Sequence, residues 1–305
     1  MDLSLTSDQT AILDALDAMA KPFSALPIGA TGFALTSREL DQELATSGFL
    51  DVGFDPDLGP VTAALVVERL ARLPFASEAA LGALVGPLLG EGVARPLCLV
   101  EAGRHHRPLR FLAPGATLIV VGEAVTTHTL NADQVRAEPD SLFAYPMGTL
   151  LVDPATVAGT PHDVAPDLVR THWRIALAAE AAGLLAAALE VTCTYLADRQ
   201  QFGRPLATFQ ALRHRLAEAQ VRTNGVRWLA LKAAATLDAG DAALALLHAQ
   251  EAARAVTYDL HQFLGAMGMT LEHPLHLWTY RLKALIGELG GRAEQAAAAA
   301  DAIWG

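Results

Sequence analysis

The chain has 305 residues, is 52% hydrophobic and carries a formal net charge of −11 at pH 7. That length supports two or three packed units with a large core, and the acidic balance speaks against nonspecific nucleic-acid binding. The two cysteines, Cys98 and Cys193, lie far apart and outside any Cys-x-x-Cys pair, which speaks against a disulfide framework or a zinc site.

The start, MDLSLTSDQT, is acidic and lacks the basic and apolar blocks of a signal peptide. The longest run without Asp, Glu, Lys or Arg covers 22–37, and Pro and Gly interrupt it. No membrane-spanning helix is expected, and the chain reads as cytoplasmic. Thr6, Ser7 and Asp8 are N-cap candidates for a helix carrying Ile12, Leu13, Leu16 and Met19 at helical spacing. Pro22 ends it. The span 37–47 reads as a second helix stopped by Gly48, 49–60 as a loop, and 61–73 and 77–89 as two further apolar helices.

The character then changes. Short runs at 97–100, 109–112, 117–121 and 124–130, separated by Gly, Pro and charged clusters, read as strands, and 142–152 offers another one or two. Strands grouped apart from helices argue for α+β layering and against a βαβ repeat. From Pro166 onward everything reads as helix: 167–198, 206–238, 241–264 and 275–289, with a short helical tail at 293–303. Four long helices with short links make an antiparallel bundle. The expected fold is therefore α+β, mostly α, with a helical unit at 1–92, a reduced β unit at 93–160 and a helical bundle at 161–305.

Two corners of that bundle could carry chemistry. RQQFGRPLATFQ, 199–210, breaks the helical pattern with Phe-Gly-Arg-Pro and presents an arginine, aromatics and amides at a turn. QFLGAMGMTLEHP, 262–274, ends a helix with Gly265 and Gly268, where the backbone turns sharply or comes close to something. Each alone reads as a solvated helix corner. Together they offer an arginine and backbone amides at helix ends, which suits a pyrophosphate. Other chemistries find less support. No Glu precedes His by three residues, as a di-iron bundle needs. GPLLGEG has glutamate where a phosphate-binding loop needs lysine, and neither Gly-x-Gly-x-x-Gly nor a serine nucleophile elbow is present. His105 and His106 sit in a polar loop without an evident third metal ligand.

At this point the sequence resembles an acyl-CoA dehydrogenase over nearly its whole length. LSLTSDQTAILDALDAMAKPF resembles the family's first helix. RELDQELATSGFLDVGF and VVERLARLPFASE resemble its N-terminal helical domain. LAAEAAGLLAAALEVTCTYLADRQQFGRPLATFQALRHRLAEA carries the family's R-x-x-F-G-x-P and F-Q signatures, and HQFLGAMGMTLEHPLHLWTYRL resembles its QxxGGxGxTxE segment. The resemblance implies a helical domain, a middle β domain and a four-helix bundle assembled as a dimer of dimers, with FAD at a subunit interface. It implies FAD contacts from Arg199, Phe202, Leu206, Gln210 and Gln262, with Gln262 reaching the cofactor from a neighbouring chain and Gly265 at the close backbone approach. Ala266 stands where the family has its second glycine, and alanine tolerates a positive φ less well.

The implied reaction is α,β-desaturation of an acyl-CoA, with a glutamate removing the α-proton, the β-hydride passing to the flavin, and electrons leaving to an electron-transfer acceptor protein. The sequence departs from the pattern at both places where the family keeps that glutamate. An ungapped match puts Leu289 at one, with Glu288 a residue earlier, and Trp173 at the other, with Glu180 one to two turns further along. Glu288 is the candidate base of this chain, and a partner chain is the alternative source. Glu180 reads first as a structural carboxylate. The Thr-Glu-Pro-x-x-Gly-Ser-Asp segment that helps hold the flavin ring is absent. A truncated β unit of this kind resembles the short chains that pair with a longer homologue in heteromeric acyl-CoA dehydrogenases of steroid side-chain catabolism. A heterotetramer is thus expected, with a self-sufficient homo-oligomer using Glu288 and a non-catalytic structural subunit as the alternatives.

Overall fold

The computed structural model describes residues 4–26, 34–90 and 92–305. Residues 27–33 of the charge-free run and Glu91 of the GPLLGEG stretch lie outside them. The first helix, α1 (Ser7–Ala20), opens with a reciprocal cap: Thr6 Oγ1 accepts from the Gln9 amide and Gln9 Oε1 accepts from the Thr6 amide, each at 3.1 Å. Ser37 caps α2 (Arg38–Thr46) through the Leu40 amide. After α3 (Gly59–Ala71), the single helix expected over 77–89 is broken into α4 (Ala80–Leu84) and α5 (Gly86–Leu89). Pro87 has no N–H to give the carbonyl four residues back, and its ring crowds that turn.

Seven strands follow: β1 (Leu97–Glu101), β2 (Leu109–Arg110), β3 (Thr117–Val121), β4 (Val125–Thr129), β5 (Val135–Ala137), β6 (Met147–Leu150) and β7 (Thr160–His162). They form a four-stranded sheet in the order β1-β3-β4-β7 and a three-stranded sheet in the order β2-β6-β5. β1 runs parallel to β3; the other pairings are antiparallel. β5 and β7 escape sequence reading because three residues are too few to show a period of two. Gly148 of β6 passes so close to the neighbouring turn that a Cβ there would lie 2.2 Å from the Leu112 carbonyl oxygen. This contact and the hydrogen bond from the Phe111 amide to the Pro146 carbonyl, 2.7 Å, clamp β2 in place.

The rest is helical. α6 (Pro166–Asp198) leads into a two-residue-per-strand hairpin, β8 (Gln200–Gln201) and β9 (Arg204–Pro205), then α7 (Gln210–Thr236), α8 (Ala239–Leu264), α9 (His276–Ile286) and α10 (Gly291–Trp304). α7 begins later than its periodicity suggests because 206–208 forms a separate tight turn and Phe209 is extended. α9 stops at Ile286, and Leu289, Gly290 and Gly291 all have positive φ before α10 starts. α10 is a packed member of the bundle and not a tail: Gln295 and Ala299 are buried, and the Gln295 amide donates to the Leu289 carbonyl at 2.6 Å.

α6 is long and apolar enough to cross a membrane by length and composition, yet most of its apolar window is buried inside the protein. It is the axis of the main core, which runs without a break from Leu16 of α1 through α3 to Leu260 of α8 and Leu282 of α9. At Gly183 the backbones of α6 and α3 touch, since a Cβ there would lie 2.1 Å from the Glu68 carbonyl oxygen. A smaller core of Cys98, Val100, Leu118 and Leu130 with their neighbours sits within the β section.

Candidate functional site

The α6–α7 corner presents the first group of expected cofactor residues. Arg199 ends α6 through its amide, which donates to the Tyr195 carbonyl at 2.9 Å. Its guanidinium is exposed and makes no hydrogen bond or ion pair among the described residues. At the hairpin tip Phe202 has φ +54° and is 86% exposed, an unusual place for an aromatic side chain, followed by Gly203 at φ +77°. The Phe202 ring stands edge-on to Phe209 at 5.9 Å, and the Arg204 guanidinium lies 4.1 Å over the Phe209 ring. This makes a small aromatic and cationic platform on the outside of the bundle. Leu206 is half-buried and its amide donates to the Arg199 carbonyl, closing the hairpin. Gln210 opens α7 exposed, 3.4 Å from His214 Nε2.

The α8–α9 corner lies at the same end of the bundle, because Tyr195 of α6 packs edge-on to His273 at 5.2 Å. Gln262 is exposed in the last turn of α8, and Gly265 turns the chain at φ +59° with open space around it. Gly268 is fixed by crowding: a Cβ would lie 2.6 Å from the His261 carbonyl oxygen. His261 holds this corner from inside, with Nδ1 2.6 Å from the Gly268 carbonyl oxygen and Nε2 2.9 Å from Thr279 Oγ1. Gln262 and Gly265 open onto a groove of about 1220 Å³ between α7, α8 and α9, into which Arg222, Arg254 and Lys283 also face.

The two positions expected to hold a base converge elsewhere. Trp173 and Glu180 of α6 and Glu288, just past α9, surround one spot between the bundle and the β section. That spot is full. Arg110, at the end of β2, reaches into it and is buried; its Nη1 donates to Glu180 at 2.9 Å and its Nε to Glu288 at 3.3 Å. Tyr145 donates its hydroxyl to the other Glu180 oxygen at 2.6 Å, and Arg107 donates to the other Glu288 oxygen at 2.9 Å. Burial opposes the charge on Arg110, but Glu180, Tyr145 and Glu288 outweigh it and hold its pKa above the ordinary arginine value. The Tyr145 hydroxyl is pushed well above its ordinary range by burial and by Glu180.

The cavity left beside these groups measures about 20 Å³, room for roughly one water. All four carboxylate oxygens of Glu180 and Glu288 are engaged by these groups. Sequence reading finds Glu180 and Glu288 but misses Arg107, Arg110 and Tyr145. The available signal was an arginine inside the apolar run LRFL, which a short strand would have to bury or expose.

The family model for the acyl-CoA dehydrogenase C-terminal domain matches residues 170–296, which takes in both corners, Glu180 and Glu288. The acyl-CoA dehydrogenase IpdE2 of Mycolicibacterium smegmatis is 31% identical over 80% of this chain and 87% of its own length. Among solved structures, a chain of the Tcur3481-Tcur3483 steroid ACAD G363A variant superposes with a TM-score of 0.77 at 22% identity, covering 97% of each chain. The ChsE4-ChsE5 complex from Mycobacterium tuberculosis gives 0.70 at 19%, again over 97% of each. At those identities the structures speak for the fold, whereas the sequence relative speaks for descent. The chain belongs to the acyl-CoA dehydrogenase family of oxidoreductases.

Proposed function

We propose that the chain is an FAD-binding subunit that works with a longer homologous chain to desaturate an acyl-CoA thioester between its α and β carbons. One observation carries this reading. The corners suited to a dinucleotide are open at one end of the bundle, while the spot where this chain's own base would act is filled. The groove beside Gln262 and Gly265 is at least as large as ordinary small-molecule sites, which run to roughly 1,000 Å³. The residues fit the group: Arg199 offers an unpaired guanidinium fork for the diphosphate, and Gln262 offers an amide to a cofactor held at the neighbouring chain. Phe202 and Phe209 offer flat faces for the adenine end, Leu206 and Gln210 complete that wall, and Gly265 lets the backbone come close.

The flavin, when bound, supplies the acceptor for the β-hydride. In this reading the partner chain supplies the missing ring-binding segment and the carboxylate that takes the α-proton, a step needing a positioned, desolvated base. Electrons then pass to an electron-transfer acceptor protein. The names of the structural relatives, one a steroid ACAD and one a two-component complex, support a steroid-derived acyl group and a pairing of unlike chains; the assembly we propose is a heterotetramer with two copies of this chain. The division at 1–92, 93–160 and 161–305 and a cytoplasmic location belong to the same proposal.

The test is Arg199→Ala in the complex co-expressed with the longer homologue. Losing a charge-assisted contact of about 1.5–3 kcal/mol should weaken flavin retention roughly tenfold or more, with helicity unchanged. Unaltered flavin content would remove Arg199 from the site. A flavin-loaded monomer in native mass measurements would remove the need for a partner.

A further inference from the structure

We infer that Arg110 is a built-in occupant of this chain's own reaction cleft, so that the chain lends a cofactor corner to a partner but holds no acyl thioester itself. This rests on the reading of the chain as one half of a paired enzyme, and goes beyond it by naming what closes the second site. Three observations carry the inference. Trp173, at one position that resembles a family base position, and Glu288, the residue before the other, line one cavity, so this is where a thioester would have to lie. That cavity is about 20 Å³, more than tenfold below the roughly 300 Å³ at which small-molecule sites begin.

The group filling it is also held in place from both sides. Glu180 and Glu288 each bind the Arg110 guanidinium, and its carbon lies 4.9 Å from the centre of the Tyr145 ring. Behind it, β2 is clamped by the Gly148–Leu112 approach, and Phe111 turns at φ +59° directly after Arg110. A guanidinium stays charged at any working pH, so withdrawing it would leave Glu180 buried without a counter-charge and Glu288 with Arg107 alone. The side chain is therefore a fixture and not a gate.

Two measurements test this on the 305-residue chain. Purified wild-type chain is titrated by calorimetry with octanoyl-CoA and with a steroid propanoyl-CoA, two probes spanning a straight chain and a ring system. No saturable binding up to about 1 mM is expected, corresponding to less than about 4 kcal/mol of affinity. One probe bound per chain, at micromolar strength, would overturn the proposal. In the second, Arg110→Met, Glu180→Gln and Glu288→Gln are combined to keep the space filled but neutral, and the complex with the longer homologue is assayed per flavin. Turnover within about twofold of wild type is expected. A loss of a hundredfold or more with flavin retained would place reaction chemistry in this chain after all. If the triple variant does not fold, the titration decides alone. The Arg199 experiment reads flavin and this one reads thioester, so either can fail while the other stands.

Discussion

The ring of Tyr195, one turn before the end of α6, meets the ring of His273 edge to face at 5.2 Å. This contact joins the two corners that carry the cofactor-suited residues. His273 also sits within a group of histidines. Burial chiefly, then His276 and His261, push its pKa down to about 4, from an ordinary value near 6.5.

That shift gives a pH prediction with a definite sign. Between about pH 6.5 and about 4 the unfolded chain binds a proton at His273 that the folded chain refuses, so stability rises with pH across that window. It is fully present above about 6.5 and is lost as the pH falls towards 4. Denaturant midpoints measured across the window should drop on the acid side, and His273→Asn should flatten the drop. An equally steep drop in the variant would show that His273 does not set it. His261 and His276 are also lowered, chiefly by burial, so the variant removes part of the slope and not all.

Gly183→Ala should destabilise, against the usual direction. In an open helix this exchange gains about 1 kcal/mol. Here the new Cβ would meet the Glu68 carbonyl oxygen at 2.1 Å and the Ala71 Cβ at 2.8 Å, and overpacking of this kind costs about 1–3 kcal/mol. A lower urea midpoint is expected; a higher one would mean that α3 and α6 can move apart freely.

Arg281→Met should cost about 3 kcal/mol without touching the cofactor. Arg281 is 2% exposed and donates to the carbonyls of Leu277, Phe75 and Leu73 at 2.6, 3.1 and 2.7 Å. It ties α9 to the segment after α3, and its removal leaves buried carbonyls without donors. The expected outcome is a lower denaturation midpoint with unchanged flavin per folded complex. Loss of flavin at full stability would point to a role at the corner instead.

The helices were legible because each carries a long apolar period, and the corners because Gly-Arg-Pro and the paired glycines interrupt that period at fixed places. Arg199, Phe202 and Gln262 could be named as cofactor candidates because they sit at those breaks, within segments that resemble the family's signatures. The Arg110 network was not legible. It joins positions 110, 145, 180 and 288 through a fold with two sheets, and one of its strands is only two residues long. Glu288 looked available in the sequence because its partners Arg107 and Arg110 approach from residues far away in the chain. Likewise α10 read as a tail because alanine-rich sequence does not say which face is covered.

The backbone at Leu289 has a historical consequence. Leu289 is 3% exposed at φ +48°, its carbonyl is held by Gln295, and the carbonyl before it by Gln250. A mutation bringing glutamate to that codon would bury an acid in a left-handed turn, with Arg110 already in the space it would serve. Under the proposed pairing and the occupied cleft, independent chemistry would need changes at Leu289 and at Arg110 together. Under the proposed pairing, selection cannot restore the activity in small steps once the longer gene is gone, so the two genes should be kept together or lost together across lineages.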